Sequence, residues 1–185
     1  MDYALRMLAR HARRRATLLV AAGLATVSWA QPPPPGPFVR ENATVKVADH
    51  VWAIPDLNVG LVPNVGIVVG RAATLVIDTG LGPRNGETIV REMKKVSANA
   101  DVYVATTHYH PEHSLGAAAF KGAKMLMPRA QQQEMAELGK QIQDTFASRS
   151  AAAAELLNGA VYPTPDIVFD RDYRLDLGGV HARLL

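Results

Sequence analysis

Apolar residues gather in short runs from residue 43 onward, over positions 43–47, 51–54, 65–69 and 73–77. Pro55-Asp56, Pro63-Asn64 and Gly70-Arg71 separate them, and residues of these types supply turn geometry. The pattern predicts consecutive hairpins in one antiparallel layer. After Ile77 the period changes. Residues 78–83 (DTGLGP) predict a loop, and Asn85 caps a helix reaching about Ser97, with Ile89, Met93 and Val96 on one face. Residues 102–105 predict a buried strand, 115–120 a short helix and 124–127 another strand. Residues 129 to about 157 predict one long helical stretch, in which Met135, Leu138, Ile142 and Phe146 recur at helical spacing. Pro163 and Pro165 end it, and residues 167–169, 173–177 and 180–185 predict strands, the last two joined at Gly178-Gly179. Strands followed by strand–helix alternation place the chain in the α+β or α/β class.

The amino terminus follows a different pattern. Arg13-Arg14-Arg15 precede an apolar run over residues 16–30, and Ser28-Trp29-Ala30 puts small residues where a signal peptidase cuts. A signal peptide over residues 1–30 is expected, with cleavage after Ala30 and an uncleaved anchor as the alternative. The run is shorter than the about 20 residues of a membrane span. The chain is therefore expected to be exported, periplasmic or secreted, with no stable membrane span after cleavage. Residues 31–37 (QPPPPGP) form a stiff, Pro-rich linker, and residues 38–185 form the domain.

Charge alters this picture only by its location. The net charge of +3 hides five arginines and one aspartate within residues 1–30, which leave 15 basic and 16 acidic residues for the rest. A domain so balanced has no basic face, so nucleic acid is excluded as a partner. There is no cysteine, so a bound metal would have to rest on His, Asp and Glu.

Such residues are concentrated at one place. His108, His110 and His113 lie within six residues, with Glu112 among them, directly after the strand predicted at 102–105. In an extended segment His108 and His110 would share a side, and Pro111 would then turn the chain so that Glu112 and His113 face the same pocket. Neutral imidazole and carboxylate suit Zn²⁺, and a cysteine-free cluster fits an open catalytic site better than a closed structural one. His50 and His181 are expected to be structural, His181 as a strand side chain.

The segment HYHPEH at 108–113 resembles the HxHxDH signature of the metallo-β-lactamase superfamily, and Leu75-Val76-Ile77-Asp78-Thr79-Gly80 resembles that family's approach to its site. The resemblance covers about residues 45–185. It implies an αββα sandwich, here incomplete at the C-terminus, with one or two Zn²⁺ ions at an edge between two sheets. His108 and His110 would hold the first ion and His113 the second. Asp78 would line the site and orient ligands, and Asp78 or Glu112 would be the catalytic carboxylate that orients the attacking water or accepts its proton. Glu112 stands where the family has aspartate, which leaves it either a metal ligand or a proton acceptor. Family members continue further and add later ligands, so the chain is expected to be an N-terminal fragment. The implied activity is hydrolysis of an ester, amide, lactam or thioester-type bond in a small-molecule substrate by zinc-activated water. A truncated or degenerate non-catalytic metal-binding protein is the alternative. The sequence leaves the oligomeric state open.

Overall fold

The protein's structure is a computed structural model that describes residues 36–185; the expected signal peptide and most of the linker lie outside the described residues. Four strands, β1 (Val45–Ala48), β2 (Val51–Ile54), β3 (Val65–Val69) and β4 (Ala73–Ile77), pair antiparallel in succession. Three more, β5 (Asp101–Ala105), β6 (Lys124–Pro128) and β7 (Ile167–Phe169), add in parallel to complete a seven-stranded sheet in sequential order. The hairpin layer and the later strand–helix alternation follow the hydrophobic pattern closely.

The sheet is buried on both faces where the strands are parallel, and alternation along each strand divides the core. Val76, Val104, Met125 and Met127 point toward helices α1 (Gly82–Val96) and α3 (Arg129–Ala147), where they meet Ile89, Met93 and Met135. Leu75, Ala105, Leu126 and Phe169 point the other way, toward Leu175 and Leu177 of the hairpin formed by β8 (Tyr173–Asp176) and β9 (His181–Leu184). That hairpin turns through Gly178 and Gly179, both at φ 88°, a conformation open to glycine. It is tied to the β3–β4 turn by Ala72 N–H donating to Leu177 O at 2.9 Å. His181 opens β9 as an exposed strand residue, 3.7 Å from Asp176.

Three helical expectations are corrected. Asn85 lies inside α1 rather than capping it; Leu81 is the N-cap, and the buried Asn85 amide donates to Leu81 O at 2.7 Å and accepts from Val39 N at 2.8 Å. The single long helix is two, α3 and α4 (Ala151–Leu157), because Ser150 is extended and its hydroxyl accepts from Ala153 N at 3.0 Å, capping a new helix. The helix expected at 115–120 starts earlier, as α2 (Pro111–Ser114), followed by a 3₁₀ turn over Ala117–Ala119. Proline at a first helical position gives up no hydrogen bond and presets φ. No helix among the described residues is long and apolar enough to cross a membrane.

Glu92 fastens the segment ahead of β1 to α1. Its buried carboxylate accepts from Asn42 N at 2.8 Å and Thr44 Oγ1 at 2.5 Å, and pairs with Lys95. Burial pushes the carboxyl's pKa up, but the hydrogen bonds from Lys95, Thr44 and Asn42 outweigh it and hold the value at about 2. A carboxyl depressed from 4.5 to about 2 stabilises the fold above pH 4.5, by about 3 kcal/mol, and that contribution is lost as pH falls toward 2. Urea unfolding of Glu92→Gln should show a lower midpoint at pH 7 and a flatter acid limb between pH 5 and 2. An unchanged acid limb would remove Glu92 from this role.

Candidate metal centre

β4 and β5 are parallel neighbours in register, Ile77 beside Ala105, so their carboxyl ends emerge together. The loops that follow carry Asp78 and the histidine segment, and Asp78 N–H donates across to Ala105 O at 2.9 Å. Carboxyl ends of parallel strands are where α/β sheets place ligands. Asp78 adopts φ 69°, a left-handed conformation uncommon outside glycine and better tolerated by Asp than by most residues. That turn drives its side chain under the neighbouring loop, where it is 2% exposed.

The Asp78 carboxylate organises the histidine segment. Oδ1 accepts from Thr107 N at 2.8 Å, and Thr107 Oγ1 lies 3.0 Å from Oδ2. His113 Nδ1 lies 2.9 Å from Asp78 Oδ2, so this nitrogen donates to the carboxylate and the lone pair is on Nε2. Thr79 completes the weave, its N–H and hydroxyl donating to His113 O at 2.8 and 3.0 Å. Gly116 lets the two loops close: a Cβ there would lie 1.9 Å from Thr79 O.

This arrangement corrects the expected alternation of His108 and His110. β5 ends at Ala105, and His110, at φ −56° and ψ 152°, is the N-cap of α2. Capture of Thr107 by Asp78 takes the chain off the sheet ladder before the histidines begin. The rings still gather. His108 lies 4.6 Å from His110 with planes at 71°, and 4.0 Å from His113. Burial, then the neighbouring imidazoles of His113 and His110, lowers the pKa of His108 and favours its neutral, ligand-competent form. Phe146 backs His110 at 5.7 Å, and Ser114 Oγ donates to Tyr109 O at 2.7 Å, closing the first turn of α2.

Glu112 Oε1 lies 3.9 Å from His113 Nε2, too far for a hydrogen bond. With Nδ1 protonated toward Asp78, a carboxylate oxygen and an imidazole lone pair face each other with no proton between them. Such a pair is suited to a shared cation: two donors on one zinc at bonds of about 2.0–2.1 Å sit roughly 3.3 Å apart. Donor chemistry therefore fits Zn²⁺. Geometric convergence is partial, since among the described residues no three His, Cys, Asp or Glu side chains form a ready-made metal cage. A cleft of about 270 Å³ reaches Thr106 and Thr107 but is walled mainly by Leu75, Leu126, Phe169 and β9, and none of the predicted site residues lines it. A larger cavity, about 560 Å³, lies elsewhere, between the end of α1 and the start of β5, and contains none of the predicted site residues.

The sequence profile of the metallo-β-lactamase superfamily matches residues 58–185, which takes in β3 through β9 and the whole cluster. The chain belongs to the metallo-β-lactamase superfamily. Its mixed sheet with packed helices is the α/β fold of that superfamily. Among solved structures, a Cronobacter sakazakii metallo-β-lactamase with a HARLDQ motif is 21% identical, with 78% of this chain matched to 52% of that one at a TM-score of 0.55. A native metallo-β-lactamase from Legionella gormanii is 18% identical, with 80% of this chain matched to 53% of that one at 0.54. An inverting sec-alkylsulfatase from a Pseudomonas species is 15% identical, with 76% of this chain matched to 26% of that one at 0.55. At these identities the likeness establishes the fold. The chain spans about half the length of the two lactamases. No curated protein sequence matches it significantly.

Several positioning residues escaped the sequence reading. Thr107 stands beside the motif and so was within reach of it. Thr79 lies in the motif quoted around Asp78, whereas Ser114, Gly116 and Phe146 carry ordinary loop or core signals, and only the fold brings them to the cluster.

Proposed function

We propose that this chain carries metal-binding residues of an exported zinc-dependent hydrolase. Its cluster would hold one or two Zn²⁺ ions, His108 and His110 serving one ion and His113 with Glu112 the second. The observation that carries the reading is the meeting of His113 Nε2 and Glu112 Oε1, two electron-rich atoms 3.9 Å apart with no donor between them. Zinc bound there would supply Lewis acidity, lowering the pKa of a water toward about 7 and drawing charge from the electrophile.

The chain's own residues divide the remaining work. Asp78 is engaged by Thr107 and His113, so it acts through His113, fixing the tautomer that leaves Nε2 free. Glu112 is the carboxylate left to accept the attacking water's proton at Oε1, or to share the ion with His113. The substrate class, a small molecule with an ester, amide, lactam or thioester-type bond, rests on the hydrolytic character of the superfamily. Lactamases and an alkylsulfatase share this fold, so substrate choice rests on the site's surroundings. Export rests on the Arg13-Arg14-Arg15 and apolar 16–30 pattern.

A second reading, a metal-binding protein without turnover, is favoured by the incomplete convergence of the donors. Zinc titration combined with a panel of nitrocefin, aryl ester, anilide and thioester substrates separates the two. Zinc-dependent hydrolysis that falls at least about a hundredfold in His108→Ala and His110→Ala supports the hydrolase. Tight zinc binding without turnover supports the second reading, and absence of zinc binding removes both.

A further inference from the structure

Two buried side-chain atoms among the described residues lack a hydrogen-bond partner: Glu112 Oε2 and the hydroxyl of Tyr162. Orphaned atoms of this kind are rare in folded proteins, because water lost on burial is normally replaced by a partner. These two are complementary. An ionised carboxylate only accepts, and a phenol donates. They also belong to one neighbourhood. The ring of Tyr162 lies 6.5 Å from that of Tyr109, which in turn meets the His110 ring at 5.6 Å. α3 presses on the other side of Tyr162, where a Cβ on Gly139 would lie 2.9 Å from Cε2. Gln143 Nε2 holds the segment ahead of it by donating to Ala160 O at 2.9 Å. Burial raises the phenol's pKa, and Tyr109 and then the negative charge of Glu112 raise it further, so the hydroxyl keeps its proton to donate.

We propose that one buried water bridges the Tyr162 hydroxyl, which donates to it, and Glu112 Oε2, which accepts from it, and so aims the other oxygen, Oε1, at His113 Nε2. Tyr162 is then a positioning residue for the metal centre, a role that rests on the metal-binding reading above. The arrangement also gives the glutamate a purpose. Aspartate at 112 would draw the carboxylate back from Tyr162 by about one C–C bond, roughly 1.5 Å.

The test is a double-mutant cycle on the full 185-residue chain with Tyr162→Phe, which keeps the ring, and Glu112→Leu, which keeps the volume. Two quantities are read: the urea midpoint without metal, and zinc affinity by calorimetry. Tyr162→Phe should lower the midpoint in the wild-type background and leave it unchanged or raise it with Leu at 112. It should also weaken zinc binding about tenfold, the effect of losing an outer-sphere partner, and have no further effect with Leu at 112. Additive midpoint shifts overturn the contact. Unchanged zinc affinity in Tyr162→Phe overturns the positioning role. A wild-type chain that takes up no zinc overturns the metal reading instead, while the metal-free cycle still decides whether the two side chains interact.

Discussion

Asp78→Ala is expected to lower folding stability by about 3–5 kcal/mol, the effect of removing one member of a buried, fully engaged charged group. Asp78 is 2% exposed and receives Thr107 N, the Thr107 hydroxyl and His113 Nδ1. Alanine removes the one acceptor these donors share. It also places a less tolerant residue at φ 69°. Asp78→Asn separates these effects, because asparagine accepts the left-handed conformation and keeps one acceptor oxygen. It should cost about half as much, and because a neutral amide no longer fixes His113, it should weaken zinc binding by about 10–100-fold. Urea unfolding followed by circular dichroism, with zinc calorimetry on the Asn variant, checks both. An alanine variant within about 1 kcal/mol of wild type would show that the Asp78 network contributes little.

Gly116→Ala should be comparably damaging for a different reason. Gly116 lies at φ −81° and ψ −6°, a conformation any residue adopts, so backbone strain plays no part. The obstacle is steric. A Cβ would stand 1.9 Å from Thr79 O and 3.0 Å from Gly80 O, and both belong to backbone that cannot swing aside. To admit the methyl, the Asp78 loop must separate from the histidine segment, breaking the Thr79–His113 contacts. The expected loss is about 3 kcal/mol or more, at the upper end for overpacking. Gly122→Ala is the control. Gly122 has open space around it but φ 80°, so alanine there should cost only about 1 kcal/mol of backbone strain. Equal unfolding midpoints for the two variants would contradict the close approach at Gly116.

These expectations depend on contacts that the chain discloses unevenly. Strands β2 to β7 were legible because they are short, largely apolar runs between turn residues, and a buried sheet face enforces that pattern. α3 and α4 were legible as helix but not as two helices. The break depends on a Ser150 side chain choosing Ala153 N–H, and nothing in the composition around Ala151 marks it. The start of α2 was obscured for a related reason. A proline after an extended segment reads as a turn, whereas Pro111 at the first position of a helix leads the chain into one.

The site divides along the same line. The candidate ligands stood out in HYHPEH, because three imidazoles and a carboxylate in six positions need little context. Their relative geometry was not plain. Alternation along a strand was the natural assumption for His108 and His110, and the capture of Thr107 by Asp78, a residue far back in the chain, defeats it. Tyr162 gave no signal either, since a tyrosine after a helix is unremarkable until the fold packs it beside Tyr109.

The central claim is that the 108–113 cluster binds zinc, and direct zinc titration of the intact chain tests it. Wild-type protein, His108→Ala, and a variant with His108, His110 and His113 all replaced by alanine would be compared by calorimetry, with circular dichroism confirming that each is folded. The account predicts one or two zinc ions per wild-type chain, affinity weakened roughly a hundredfold or more by His108→Ala, and binding abolished in the triple variant. A folded triple variant that binds zinc as the wild type does would contradict it.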